Sequence, residues 1–168
     1  MRPILTIVLI ACASSAAANG LTVQFADGAP KDSITFHNDG CPLTDATIVL
    51  DLRETPAGLI FDVTAAGAGV EVFQPVETVA GDVAISPVAD GGQVLHLFVP
   101  SFANGETIRL TADLDDTTSN RQITVNGSEM AGARVSVAYA STSKTAAFDT
   151  QGTAFLSLPV TSEGCLST

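Results

Sequence analysis

The sequence predicts an all-β protein, most simply an antiparallel two-sheet β-sandwich of about ten strands. Short runs rich in β-branched and aliphatic residues recur along the chain, and Gly, Pro, Asn and Asp clusters separate them. No segment repeats apolar residues at helical spacing for more than a turn or two. A closed β-barrel is the alternative architecture, because strand spacing alone does not distinguish it from a sandwich.

The turn residues between these runs set the bounds of the predicted strands. In chain order they cover residues 21–25, 33–36, 47–53, 59–63, 70–73, 93–99, 107–114, 123–125, 133–139, 145–148 and 153–158. The run 93–99 is predicted to end at Pro100, since proline cannot donate to a sheet ladder.

Strict alternation assigns the faces of these strands. It is clearest over residues 107–114, where the apolar side chains at even positions are predicted to face the core. The polar side chains at odd positions, ending with Asp113, are predicted to face solvent. In the run 93–99, His96 is predicted to lie on a partly buried face as a hydrogen-bonded residue.

The first 18 residues have the composition of a secretory signal peptide. Arg2 precedes an apolar run over residues 4–11 that is too short to cross a bilayer, and an Ala-x-Ala exit ends at Ala18. We therefore expect a single mature domain over residues 19–168 that is secreted or periplasmic, with no membrane insertion after the signal is removed. In the alternative, residues 9–12 form a lipoprotein cleavage site and the mature protein is lipid-anchored through Cys12.

The number and positions of the cysteines agree with a protein that is exported to an oxidising compartment. Of the three cysteines, Cys12 lies in the predicted signal, which leaves Cys41 and Cys165 as a pair. In an oxidising compartment such a pair is most simply a disulfide, although two unpaired buried cysteines are the alternative. The bond would enclose most of the mature chain, for which loop-closure entropy gives a stabilisation of about 4–5 kcal/mol.

The charge balance narrows the range of partners. The chain has 18 acidic against 7 basic residues, a net charge of −11. Nucleic acid and anionic membrane surfaces are therefore poor partners, and we expect no binding to nucleic acid, because both kinds of surface attract basic proteins. An acidic exported protein suits calcium, cationic ligands or simple solubility.

One acidic group is a candidate calcium site. Asp113, Asp115 and Asp116 follow one another closely at the end of the strongest predicted strand, and Glu129 and Asp62 are possible partners from other loops. Carboxylate oxygens are the hard ligands that calcium takes. The competing interpretation is a solvated acidic turn.

No catalytic group emerges from the sequence. His37 and His96 lack the spacing of a zinc site, and no Gly-x-Ser-x-Gly motif is present. The aspartates between residues 27 and 45 fix no acid–base pair of the kind that glycosidases use. We therefore expect a non-enzymatic protein, with a carbohydrate-active enzyme on a sandwich fold as an alternative.

Two segments resemble a known family. Residues 56–75, and residues 114–117 with 121–132, are similar to bacterial exported proteins called aggregation factor core, which are named for similarity to the core protein of sponge aggregation factors. With Cys41 and Cys165 the resemblance spans most of the mature chain. It implies an extracellular β-sandwich that self-associates or joins an adhesive assembly, which in sponges depends on calcium.

The resulting functional expectation is a secreted binding or adhesion module. Its expected partner is a second copy, an extracellular protein or a glycan, and calcium is its candidate cofactor. An exported protein that binds a small ligand or protects the cell envelope without assembling is the alternative.

Overall fold

Twelve β-strands make up the regular secondary structure in the computed structural model, which describes residues 19–65, 67, 69, 73–118, 124–158 and 165. The strands are β1 (Gly20–Ala26), β2 (Asp32–Asn38), β3 (Leu43–Asp51), β4 (Ile60–Phe61), β5 (Glu77–Ala80), β6 (Ala84–Ile85), β7 (Val94–Phe102), β8 (Thr107–Ala112), β9 (Leu114–Asp115), β10 (Arg134–Tyr139), β11 (Thr142–Ala147) and β12 (Thr153–Ser157).

The strands form two antiparallel five-stranded sheets. One has the order β12-β1-β2-β8-β5 and the other the order β11-β10-β3-β7-β6, while β4 and β9 pair as a small third sheet. The two large sheets do not close into a barrel. The predicted β-sandwich is therefore confirmed, and the barrel alternative is wrong.

The core lies between the inner faces of the two large sheets. Strands β2, β3, β7 and β8 contribute alternate apolar side chains, as their patterns predict, and Phe36 and Phe102 are fully buried among them. Fully buried residues at its centre include Ile34, Phe36, Ile48, Leu50, Leu95, Leu97 and Leu110.

Strand β7 differs from its prediction in two ways. It continues through Pro100 to Phe102, because its partner β3 places Asp45 opposite Pro100 and the ladder omits that pair. The missing N–H of proline therefore breaks no ladder hydrogen bond. His96 is exposed rather than partly buried, since Leu95 and its alternate neighbours occupy the inner face.

Other differences concern short strands. The sequence pattern missed β5 and β6, which lie at sheet edges with mostly exposed side chains and so lack an apolar alternation. The strand predicted at 70–73 falls mainly on residues 70–72, outside the described residues. In the one predicted at 123–125, residue 123 is also outside them, and the fully buried Val125 belongs to no strand.

At Asp113 the chain leaves the β12-β1-β2-β8-β5 sheet and enters the small β4-β9 sheet, and we call this point the sheet switch. Strand β8 ends at Ala112, and two residues later β9 pairs with β4 through Phe61 and Leu114. Asp113 is therefore not a solvent-facing strand residue as predicted: it is only 8% exposed. Its carbonyl oxygen accepts a hydrogen bond of 3.0 Å from the Asp62 amide, which draws this position toward β4.

The predicted disulfide is confirmed. Cys41, between β2 and β3, bonds to Cys165 across a sequence separation of 124 residues, with the two Cα atoms 5.1 Å apart. Such a bond is compatible with an oxidising extracellular or periplasmic location. The predicted signal peptide, residues 1–18, lies outside the described residues. Among those described, no helix is long and apolar enough to cross a membrane.

The disulfide should supply a large part of the stability of the fold. We expect the double variant Cys41→Ser/Cys165→Ser to lose up to about 5 kcal/mol of unfolding free energy, because its unfolded chain regains the entropy of a long open loop. Urea unfolding measures the loss, and the wild-type protein under reducing conditions is the matched control. Equal midpoints for oxidised, reduced and variant proteins would show that the bond contributes nothing.

A buried acidic cluster beside the sheet switch

Four aspartates meet where the chain passes between sheets, and we call Asp62, Asp90, Asp113 and Asp115 the acidic cluster. Pairing of β4 with β9 brings Asp62, directly after β4, beside Asp113 and Asp115. Asp90 is brought in by the turn that follows it. There the Gly91 amide donates to the Phe61 carbonyl (2.9 Å), and the Phe61 amide donates to the Gly92 carbonyl (2.8 Å).

Three of the four carboxylates are buried to an unusual degree, while Asp90 is half-buried. Asp62 is 1% exposed, Asp115 is 2% exposed and Asp113 is 8% exposed. Both carboxylate oxygens of Asp62, and Oδ2 of Asp113, are buried and accept no hydrogen bond from a donor group in the described structure, and the carboxylates of Asp90 and Asp115 lie close enough to Asp62 to share a proton with it. A buried carboxylate oxygen without a partner has lost its hydration and gained nothing in return, so this arrangement needs a physical explanation.

Two glycines pass directly over the cluster. A Cβ atom on Gly69 would overlap the carboxylates of both Asp62 and Asp115, and one on Gly67 would overlap the carboxylate of Asp90. The carboxylates of Asp62 and Asp115 therefore face each other beneath a glycine backbone. Any larger residue at position 69 would have to displace one of them.

Two cluster residues also accept hydrogen bonds from described residues on either side of these glycines. Before them, Asp90 Oδ1 accepts hydrogen bonds from the amides of Val63 (2.8 Å) and Thr64 (2.9 Å). After them, the Gln74 amide donates to the Asp62 carbonyl oxygen (3.2 Å). Val63, Thr64 and Gln74 are thus tied to Asp90 and Asp62.

Burial and mutual repulsion weaken the acidity of the cluster. Desolvation, followed by the nearby charges of Asp115 and Asp90, raises the pKa of Asp62 to about 6. Desolvation, followed by the charges of Asp115 and Asp62, raises the pKa of Asp113 to about 7. Ionised carboxylates only accept hydrogen bonds, so contacts between them require a shared proton or a cation.

The predicted calcium ligands separate into two groups. Asp113 and Asp115 lie in the cluster together with Asp62, while Asp116 follows in the chain and is half-buried. Glu129 uses Oε2 to accept a hydrogen bond of 2.8 Å from the Asn126 amide, within its own turn. Across the described part of the chain, no three His, Cys, Asp or Glu side chains are already arranged around one metal-sized point.

Sequence reasoning missed Asp90. The sequence Asp90–Gly91–Gly92 predicts a tight turn at this position. It does not indicate that Asp90 lies near Asp62. Their proximity depends on the bridge between Phe61 and Gly92, a tertiary contact.

Comparison with known proteins adds no relative: neither protein-family models nor curated proteins give a match to the chain. The fold and the site together define a disulfide-bonded antiparallel β-sandwich with a buried acidic cluster at its sheet switch.

The raised pKa values predict that the protein loses stability as the pH rises. The folded-state pKa values of Asp62 and Asp113 lie above the unfolded value of 3.8, so the native state binds more protons than the unfolded state between pH about 4 and about 7. In a chelating buffer, the free energy of unfolding should therefore fall across that range and level off above it.

Urea titrations at a series of pH values measure this slope. Asp62→Asn removes one of the proton-binding groups and should make the slope shallower, whereas Asp82→Asn, at an exposed aspartate in the turn between β5 and β6, should leave it unchanged. Stability that increases from pH 4 to pH 7 would contradict the buried state of the cluster.

Proposed function

We propose that the chain is an exported, non-enzymatic binding module whose acidic cluster binds a calcium ion. The observation that carries the proposal is the Asp62 carboxylate, which is buried with both oxygens unpartnered and faces other aspartates. A bound cation is the simplest group that would satisfy these oxygens at neutral pH.

The repulsion within the cluster supports the proposal that Asp62 binds a cation rather than forming a structural salt bridge with a basic side chain. The charged groups that shift the pKa of Asp62 are Asp115 and Asp90, and both raise it. Like charges in a poorly solvated site repel strongly, and a divalent ion reverses the sign of that interaction. Protonation of Asp113, whose pKa is raised to about 7, also relieves the repulsion, and a bound cation would replace that proton.

The donor chemistry supports calcium over a transition metal. The cluster supplies carboxylate oxygens, whereas zinc and copper prefer nitrogen or sulfur. Asp62 and Asp115 would bind the ion beneath Gly69, and Asp113 lies beside them. Calcium accepts irregular sets of six to eight oxygens, so backbone carbonyls and water would complete the shell, and extracellular calcium sites need only millimolar affinity.

The proposed partner follows from the resemblance to aggregation factor core proteins, which favours self-association or an adhesive assembly. A glycosidase on this scaffold is less well supported, because the cluster is too buried for a sugar ring to reach. An exported protein that binds a small ligand without assembling is the competing function, and the oligomeric state distinguishes the two.

Calcium should raise the melting temperature. We expect wild-type protein in calcium at ten times its Kd to gain about 1.4 kcal/mol relative to protein in chelator, because the ion binds only the folded state. Asp62→Asn should lose this gain while being more stable than wild type in chelator, since it removes a buried charge.

Differential scanning calorimetry tests both effects. Asp82→Asn, which alters an exposed carboxylate outside the cluster, should respond to calcium as wild type does. Superimposable wild-type melting curves in chelator and in millimolar calcium would remove the calcium site.

Self-association should appear in solution. We expect light scattering to show an average mass above that of the monomer, rising with protein or calcium concentration. The Asp62→Asn variant separates calcium-dependent from calcium-independent assembly. A strict monomer with and without calcium would favour the ligand-binding alternative.

A further inference from the structure

A fifth aspartate, Asp32, lies next to the acidic cluster without belonging to it. It is the first residue of β2 and is only 3% exposed. Its two carboxylate oxygens are both used: Oδ1 accepts from the Gly28 amide and Oδ2 accepts from the Leu114 amide, each at 3.2 Å. The second bond joins positions 82 residues apart in the chain.

The Leu114 bond acts on the peptide group between the cluster residue Asp113 and Leu114. The carbonyl oxygen of Asp113 accepts from the Asp62 amide (3.0 Å), while the N–H of Leu114 donates to Asp32 on the opposite side. One peptide plane is therefore held at both ends. Its orientation restricts the backbone rotation between Asp113 and Asp115, the residues on either side of Leu114.

The position of Asp32 explains why a side chain has to perform this task. The β2–β8 ladder ends with the pair Asp32–Ala112, and the chain then turns away to β4. Beyond that pair, no β2 backbone carbonyl meets the Leu114 amide in the described ladder. The Asp32 carboxylate extends the ladder across the gap, and a buried amide is thereby satisfied.

We propose that Asp32 is a positioning residue of the calcium site: it fixes the 113–114 peptide plane and so restricts the backbone rotation between Asp113 and Asp115, without touching the ion. This inference rests on the proposed function. Both oxygens of Asp32 are engaged with amides, which leaves the ion to the cluster itself. Partners that orient metal ligands in this way typically contribute 10–100-fold to metal affinity.

The test compares Asp32→Asn with wild type. Asparagine keeps the size of the side chain but replaces one acceptor oxygen with an NH₂ group, which would face an amide N–H. Asp27→Asn is the matched control, because it removes a charge from an exposed residue of the same turn and the charge of Asp27 also acts on Asp32. Circular dichroism first establishes that each variant is folded at the working temperature.

Two measurements separate positioning from simple electrostatics. Calcium titration calorimetry should show an affinity about 10–100-fold weaker for Asp32→Asn and within a few-fold of wild type for Asp27→Asn. Terbium luminescence lifetimes in H₂O and D₂O count the waters on a bound lanthanide. This count should rise in Asp32→Asn, since a displaced carboxylate is replaced by water, and should stay constant in Asp27→Asn.

The outcomes are distinct. Equal affinities and water counts for the two variants would overturn the positioning role while leaving the calcium site intact. Failure of wild type to bind calcium or terbium would overturn the proposed function and this inference with it.

If Asp32→Asn does not fold, nuclear magnetic resonance of the wild-type protein decides. Calcium should shift both the Leu114 amide and the Asp32 carboxyl carbon, and it should leave Asp149 unchanged. Asp149 is a matched carboxylate, because its Oδ1 accepts from the amides of Gln151 (2.8 Å) and Thr153 (3.0 Å) in a different turn. Unshifted Asp32 and Leu114 signals at saturating calcium would overturn the proposal.

Discussion

The pairing of Phe61 with Leu114 is the contact on which the unusual part of this structure depends. Through this pairing the chain leaves the β12-β1-β2-β8-β5 sheet after Ala112. Both side chains pack into the core, where Phe61 is fully buried and Leu114 is 1% exposed. Apolar burial of this extent stabilises each side chain by about 2 kcal/mol. Three of the four residues that flank the pair are the aspartates Asp62, Asp113 and Asp115, so the same packing that satisfies the core forces carboxylates together.

Bringing buried carboxylates together lowers the stability of the fold, and interactions elsewhere in the scaffold have to offset that loss. Two five-stranded sheets with a continuous aliphatic core, and a disulfide that closes 124 residues of chain, supply stability that does not depend on the cluster. Locally unfavourable arrangements of this kind are commonly found at functional sites. The unpartnered oxygens of Asp62 are the clearest case in this chain.

Much of the fold could be predicted from the sequence because it rests on local alternation. Residues 107–112 form β8 with the inner face that their pattern predicts, and the two remaining cysteines pair as their compartment suggests. The edge strands β5 and β6 could not be found, because exposed strands carry no apolar period. The burial of Asp113 was also missed, since period-two reasoning assumes that a strand stays in one sheet and β8 does not.

The candidate site illustrates the same division between local and tertiary information. Asp113 and Asp115 lie near each other because only Leu114 separates them in the chain, which the sequence alone establishes. Asp62 and Asp90 join them only through the β4–β9 pairing and the Phe61–Gly92 bridge, neither of which leaves a local signature. Asp32 is further removed, since its contribution is one hydrogen bond to a backbone amide. The cluster is therefore a property of the sheet switch rather than of an acidic sequence motif, and a search for consecutive aspartates would select Asp116 in place of Asp62.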